Sequence, residues 1–314
     1  SVAPKIVTFF SSNRGQFFMH HRLYLGCAVW AYKDWVGEFY PPKSRPQDFL
    51  RLYSQRLSAV EGNTTFYSVP DKATLQRWRT ATNSGFQFCL KLPRQITHDG
   101  LLLPHWPTAL QFLNQMQELG DRLGPFFAQL PPSYGPAQFE DLRAFLHQWP
   151  EDLGRLAVEV RHLGWFKPPF QDRLNQRLRD RGAGRVLLDT RPIYDCIDAG
   201  GDDPQRDSQR RKPRVPLQPI LTTNFTLVRY IGHPSVAVNQ PYLNSWVPRI
   251  AEWLTRGTQV YAFFHCPAEV CSPSIAWSFY QTLKHDSRLP DLPDLSWTQS
   301  AQANKPAKQL SLFE

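Results

Sequence analysis

A chain of 314 residues is long for one ordinary domain yet falls within the span of a single α/β barrel. Its 41% hydrophobic content, with Trp 10, Tyr 11 and Phe 21, excludes a chain disordered throughout and fits a large aromatic-rich interior. No run approaches the roughly 18 apolar residues of a membrane span, and a net charge of +9 favours anionic partners such as nucleic acid or phosphorylated compounds.

The opening SVAPKIVTFFSSNRGQFF has too short an apolar run, and no small-residue cleavage site, for a secretory signal. Met19 stands just before the first strand signal, so residues 1–22 read as a peripheral extension or a misassigned start. Eight short β-branched or apolar runs then follow, at 23–29, 57–61, 86–90, 125–130, 156–160, 185–188, 225–230 and 259–264. Helical patterning separates them at 45–55, 72–80, 108–123, 136–149, 170–181 and 245–256, and continues after the last at 274–283. That alternation predicts βα units and a parallel sheet, and eight evenly spaced units favour closure into a single (β/α)8 TIM-like barrel over 23–288, rather than an open doubly wound sheet. Between the sixth and seventh strands, 197–219 reads as a flexible basic insertion that includes Arg206, Arg210, Arg211, Lys212 and Arg214, so the helix there is expected to be short, displaced or missing. From 289 to 314 the composition turns to Pro, Ser, Gln and Ala and reads as a disordered tail.

The five cysteines, Cys27, Cys89, Cys196, Cys266 and Cys271, are an odd, scattered set without a C-x-x-C pair, which points to reduced thiols in a cytoplasmic protein. Cys266 and Cys271 read as incidental or buried thiols, with metal ligation as the alternative.

Barrel active sites are built at the C-terminal ends of the strands, so the residue types there carry the functional reading. Those ends hold Glu61 and Asn63; Lys91, Arg94 and His98; Gln129; Glu159 and Arg161; Asp189 and Arg191; Arg229; and His265. Side chains alternate along a strand, which pairs Glu61 with Asn63, Glu159 with Arg161 and Asp189 with Arg191 on one face each. Structural ion pairs at the barrel mouth are one reading. Five cations beside three carboxylates favour the other, an anionic ligand, because arginine binds carboxylate or phosphate in a fork. Glu61, Glu159, Asp189 and His98 are the candidate acid–base residues. With His265 they are also a candidate divalent-metal set, although no tight spacing such as H-x-x-x-H occurs, and no organic cofactor is indicated. Tyr32 and Trp35 in the first loop, and Tyr67 after the second strand, are candidates for a stacking wall, with packing over the mouth as the alternative.

Several strings in order resemble the domain of unknown function 72 family, also called YecE-like. They are Trp30-Ala-Tyr32-Lys33-Asp34-Trp35, Val60-Glu61-Gly-Asn63-Thr64-Thr65-Phe66-Tyr67, Phe88-Cys-Leu-Lys91-Leu-Pro93-Arg94, Gln129-Leu130-Pro131-Pro132, Val158-Glu159-Val160-Arg161-His162 and Leu188-Asp189-Thr190-Arg191. The resemblance runs from about Leu23 to Leu283 and implies an α/β barrel with an unassigned activity. The chain departs from the family pattern at Cys27-Ala-Val-Trp30 and at His265-Cys266.

The last residues, Gln309-Leu310-Ser311-Leu312-Phe313-Glu314, resemble the short peptide by which bacterial DNA polymerases and repair proteins bind the sliding clamp. There Leu312 and Phe313 would act as apolar anchors and Gln309 as a hydrogen-bonding residue, with Leu310 also among the partner-binding residues. The alternative is a terminus that covers an apolar patch of the barrel. Three functions follow as expectations. The first is an enzyme, of hydrolase type, acting on a phosphate-bearing substrate such as nucleic acid or a nucleotide and linked to DNA repair or replication. The others are a non-catalytic anion- or nucleic-acid-binding adaptor tethered to the clamp, and a sugar-phosphate or carboxylate isomerase or hydrolase.

Overall fold

The computed structural model describes residues 22–194, 209, 212–290 and 292. The terminal extension, most of the basic insertion and the tail with Gln309, Leu310, Leu312 and Phe313 lie outside the described residues. Among those that are described, Leu289 and Leu292 are buried against the core, so burial continues past the boundary expected at 288.

Each expected strand is present within a few residues of its predicted bounds: β1 Leu23–Cys27, β2 Ala59–Gly62, β3 Gln87–Leu90, β4 Phe126–Gln129, β5 Leu156–Glu159, β6 Gly184–Asp189, β7 Phe225–Ile231 and β8 Gln259–His265. They do not form one continuous hydrogen-bonded sheet. Six make a curled parallel sheet in the order β1-β8-β7-β6-β5-β4, and β2 with β3 make a second, also parallel. Between the two sheets the contacts are sparser. On one side Ser58 N donates to Leu25 O at 3.1 Å, and the Tyr53 hydroxyl bridges Cys27 N and Ala59 O. On the other, Gly124 N donates to Phe88 O and Leu92 N to Phe127 O, both at 3.0 Å. Gly26 permits the first of these approaches, since a Cβ there would lie 2.2 Å from Ala59 O.

Helices α1 Phe49–Ser54, α2 Lys72–Ala81, α3 Trp106–Met116, α4 Phe139–Gln148, α5 Phe170–Asp180, α6 Val236–Thr255 and α7 Ser272–Lys284 intervene between the strands or follow the last. Their faces follow the helical period. In α3 the buried residues are Ala109, Phe112, Leu113 and Met116, and in α4 they are Phe139, Leu142, Phe145 and Leu146. Asp71 starts α2 by accepting from Thr74 N at 2.7 Å. After β6 the described residues continue into one helical turn, Arg191–Tyr194.

One helix departs from its expected start. α6 begins at Val236, nine residues before the predicted 245, and runs through Pro241 and Pro248. Proline in a helix interior is disfavoured by its missing N–H. Here the first turn is anchored by Asn239, which donates to His233 O and Ser235 O and accepts from His233 N and Tyr230 Oη. Tertiary contacts therefore outweigh the local signal. Among the described residues no helix is long and apolar enough to cross a membrane.

Candidate functional site

All eight strands contribute to one inner cluster: Tyr24, Ala59, Cys89, Phe127, Ala157, Val186, Phe225, Leu227, Tyr261 and Phe263. Below it, toward the strand N-termini, Arg155 donates to Tyr261 Oη at 2.6 Å and lies over the Phe225 ring. Two residues further along, the strand period returns a side chain to the same face. That step leads from Ala59 to Glu61, from Cys89 to Lys91, from Phe127 to Gln129, from Ala157 to Glu159, from Leu227 to Arg229 and from Phe263 to His265. All six are buried.

Their contacts form one network. Arg229 donates from Nε to Glu61 Oε2 at 2.8 Å, from Nη2 to Glu61 Oε1 at 2.7 Å and from Nη1 to Glu159 Oε2 at 2.5 Å. Arg161 donates from Nε to Glu159 Oε1 and from Nη2 to Gln129 Oε1, both at 2.7 Å. Asn63 donates to Glu61 Oε1 at 2.7 Å. Burial alone would raise both carboxyls, but the opposing charges and hydrogen bonds together outweigh it: Arg229 with His265 holds Glu61 well below the usual carboxylate range, and Arg229 with Arg161 holds Glu159 down to about 2. Glu61 is therefore an acceptor only. His265, whose Nε2 lies 2.8 Å from Glu61 Oε2, must donate from that nitrogen. Burial keeps the His265 imidazole below its ordinary pKa despite the Glu61 charge.

Two lysines face this network. Lys91 is 7% exposed, its ammonium lies 3.6 Å from the centroid of the Phe66 ring, and no hydrogen-bond acceptor reaches it among the described residues. Burial, then the Arg229 charge, brings it down to about 7. Lys212, from the described end of the insertion, is lowered by burial and by Arg229, with Arg161 adding to the effect. Next to Lys91, a groove of about 490 Å3 is lined by Phe66, Tyr67, Arg94 and His98 among others. The His98 ring packs edge-on to Phe66 at 5.0 Å and its Nδ1 lies 2.8 Å from Thr97 Oγ1. Burial and the Lys91 charge lower it to about 4, so it is a neutral imidazole near pH 7.

Other expected site residues lie elsewhere. Asp189 does not join Glu61 and Glu159, because the inward position on β6 belongs to Leu188, which packs with Ile193 and Ile231. Asp189 is three residues beyond the inward Val186, and so faces α6. There it accepts from Trp246 Nε1 at 2.8 Å and from both Nε and Nη2 of Arg191. Arg191 also reaches Ser245 and lies over the Tyr242 ring. The pair is thus a structural lock between β6 and α6. Asp189→Ala, which strands a buried indole N–H, is expected to cost about 1.5–3 kcal/mol in urea unfolding, and Asp189→Asn less.

Trp35 is likewise not a stacking wall: it is fully buried, packs against Phe39, Tyr40 and Tyr53, and donates from Nε1 to Glu269 O. Tyr32 lies half-buried against it. Tyr67 and Arg94 are exposed at the groove.

Two residues at the mouth escaped sequence reasoning. Glu269 stands four residues after His265, in the loop that leads into α7. Burial, with the nearby Glu61 charge, pushes it up to about 8, against a partial lowering by Ser272. Its buried Oε1 and the Ser272 Oγ lack well-aligned hydrogen-bond partners among the described residues. Lys212 is the other, since a basic run in a polar loop reads as solvated. For Glu269 the available signal was its position in a strand-to-helix loop, and for Lys212 its place in the connection between β6 and β7. Behind Glu269 the Cys271 thiol is held below its ordinary value by a hydrogen bond from Cys266.

Among the described residues no three His, Cys, Asp or Glu side chains are grouped to hold a metal ion. The donor set expected from sequence is divided: Asp189 faces α6, and Glu61 and Glu159 are occupied by guanidinium groups.

The model of a family described as "Protein of unknown function DUF72" matches residues 24–300. The chain is 32% identical over 271 residues to the UPF0759 protein YecE of Escherichia coli (strain K12), covering 86% of this chain and 95% of that protein. To the UPF0759 protein YunF of Bacillus subtilis it is 26% identical over 262 residues, covering 77% and 88%. Among solved structures it resembles a DUF72 family protein from Thermotoga maritima, with TM-score 0.61 and 22% identity, over 84% of this chain and all of that one. A second, from Enterococcus faecalis, gives TM-score 0.59 and 18% identity over 85% and 99%. These structures share the fold. With the family model spanning most of its length, and with a relative 32% identical over 86% of the chain, the chain belongs to the DUF72 (UPF0759) family.

Proposed function

We propose that the two sheets are arcs of one eight-stranded barrel and that its strand C-terminal end is an enzyme site for an anionic substrate bearing phosphate or carboxylate. The barrel reading is supported by the inner cluster drawn from all eight strands and by the backbone bonds at both seams. The site reading rests on one observation: Lys91 and Lys212 both lie within electrostatic reach of Arg161 and Arg229, beside a carboxylate–guanidinium network whose negative charges are already engaged. A ligand anion relieves the mutual repulsion of these cations. Arg229 is then a support for the site and not an anion contact, because its donors are directed at Glu61 and Glu159. Lys91 and Glu269, at about 7 and about 8, both change charge near neutrality and suit proton transfer.

Thermal melting with inorganic phosphate, a nucleoside monophosphate and a single-stranded oligonucleotide tests this reading and separates a small anion from nucleic acid. A ligand at a hundredfold its Kd should raise Tm by roughly 5–10 °C. The shift should vanish in Lys212→Ala and Arg161→Gln. A shift unchanged in those variants, or none with any of the three, sinks the proposal.

A further inference from the structure

The geometry points to Lys91 as a nucleophile that forms an imine with the carbonyl group of an anionic substrate, a 2-oxo acid or a phosphorylated aldehyde or ketone. This inference rests on the anion site proposed above and refines it, leaving Arg161 and Lys212 to hold the charge. A lysine kept only to bind anions is best left solvated and mobile. Lys91 is enclosed, with its Nζ against the face of Phe66 and no acceptor within reach among the described residues. The two carboxylates that would ordinarily neutralise it, Glu61 and Glu159, are engaged by Arg229, Arg161, Asn63 and His265. Desolvation beside other cations is the environment that leaves an amine unprotonated and therefore nucleophilic. The placement also suits attack: Lys91 is the inward residue just beyond the end of β3, and the Phe66 ring that its amine touches forms part of the wall of the groove lined by Tyr67, Arg94 and His98. The rest of the substrate has a place in that groove.

The step balances without a further reactant. The Nζ lone pair attacks the carbonyl carbon, the C=O π pair moves to oxygen, and a proton passes from nitrogen to that oxygen to give a carbinolamine. Loss of the C–O bond with one more proton releases water and leaves the C=N bond.

Glyoxylate and pyruvate, as the smallest 2-oxo acids, are the probes. Each is incubated with the full chain and sodium borohydride, which delivers hydride to the imine carbon and fixes the adduct as a secondary amine. Intact mass and peptide mapping should show one carboxymethyl or carboxyethyl group per chain, placed on Lys91. Labelling at that peptide should be absent in Lys91→Met and Lys91→Arg, the second of which keeps the charge but cannot form the imine. Labelling spread over exposed lysines to the same extent in wild type and Lys91→Met overturns the inference, as does no labelling with either probe. If phosphate still raises Tm in an Arg161- and Lys212-dependent manner while Lys91 remains unlabelled, the anion site stands and the imine falls. Labelling of Lys91 without any Lys212- or Arg161-dependent shift has the opposite meaning: the imine stands and the anion site falls.

Discussion

Arg229→Leu is expected to destabilise the protein by about 3–5 kcal/mol, the cost of leaving buried charges without their partner. Arg229 makes three of the contacts to Glu61 and Glu159, both almost fully buried, and among the described residues no other cation contacts Glu61 except a His265 that burial keeps largely neutral. For a chain of this length the loss corresponds to a fall in Tm of roughly 10 °C, read by thermal or urea unfolding. Adding Glu61→Gln and Glu159→Gln should recover most of it, because the amides remove the orphaned charges while each keeps one carbonyl acceptor, for Asn63 at 61 and for Arg161 at 159. A loss equal in the single and triple variants would mean that Arg229 acts through packing alone. The wild type carries the corresponding acid signature. Glu159 has a depressed folded pKa, so its contribution is complete above the ordinary carboxylate range and is lost as pH falls through that range toward about 2. Glu61 adds in the same direction.

Lys91→Met and Glu269→Gln are expected to stabilise the protein, each by a few kcal/mol, but at opposite ends of the pH scale. Lys91 has a lowered folded pKa of about 7, so the folded state carries the full cost of its buried charge below pH 7 and sheds that cost as pH rises toward 10.5. Glu269 is the reverse. With a raised folded pKa of about 8, its protonated form costs nothing below about pH 4.5, and the penalty grows until pH passes 8. Unfolding free energies measured from pH 5 to pH 9 should therefore show the largest gain for Lys91→Met at pH 5 and for Glu269→Gln at pH 9. A gain independent of pH in either variant would refute the assigned protonation. Residues whose removal stabilises a fold are expected where a site is kept for chemistry and not for packing.

The strands were legible because a parallel strand buried on both faces is a short apolar run, and nothing else in this chain imitates one eight times over. The helices were legible from their faces, apart from the start of α6, where the pattern predicted a later beginning and Asn239 anchors the first turn. The candidate site was legible in part, and the reason is the two-residue period. Glu61 and Glu159 each stand two residues beyond an inward-facing residue, Ala59 and Ala157. Asp189 stands three beyond Val186 and turns outward, although its motif looks the same in sequence. Without knowing which residues of β6 pack inward, no reading of Asp189-Thr-Arg191 could tell the mouth from the helix layer.

The sequence by itself determined the number and order of strands, the helices between them and the presence of charge at the strand ends, because these depend on periodicities of two and 3.6 residues along the chain. The tertiary structure alone decided how that charge is spent. Arg229 and Glu61 are 168 residues apart yet meet at 2.7 Å, and their union with Glu159 turns a ring of free charges into a neutralised floor. Lys91 is left above it without a carboxylate of its own, a condition set by distances across the sheet and by burial, neither of which a linear sequence contains.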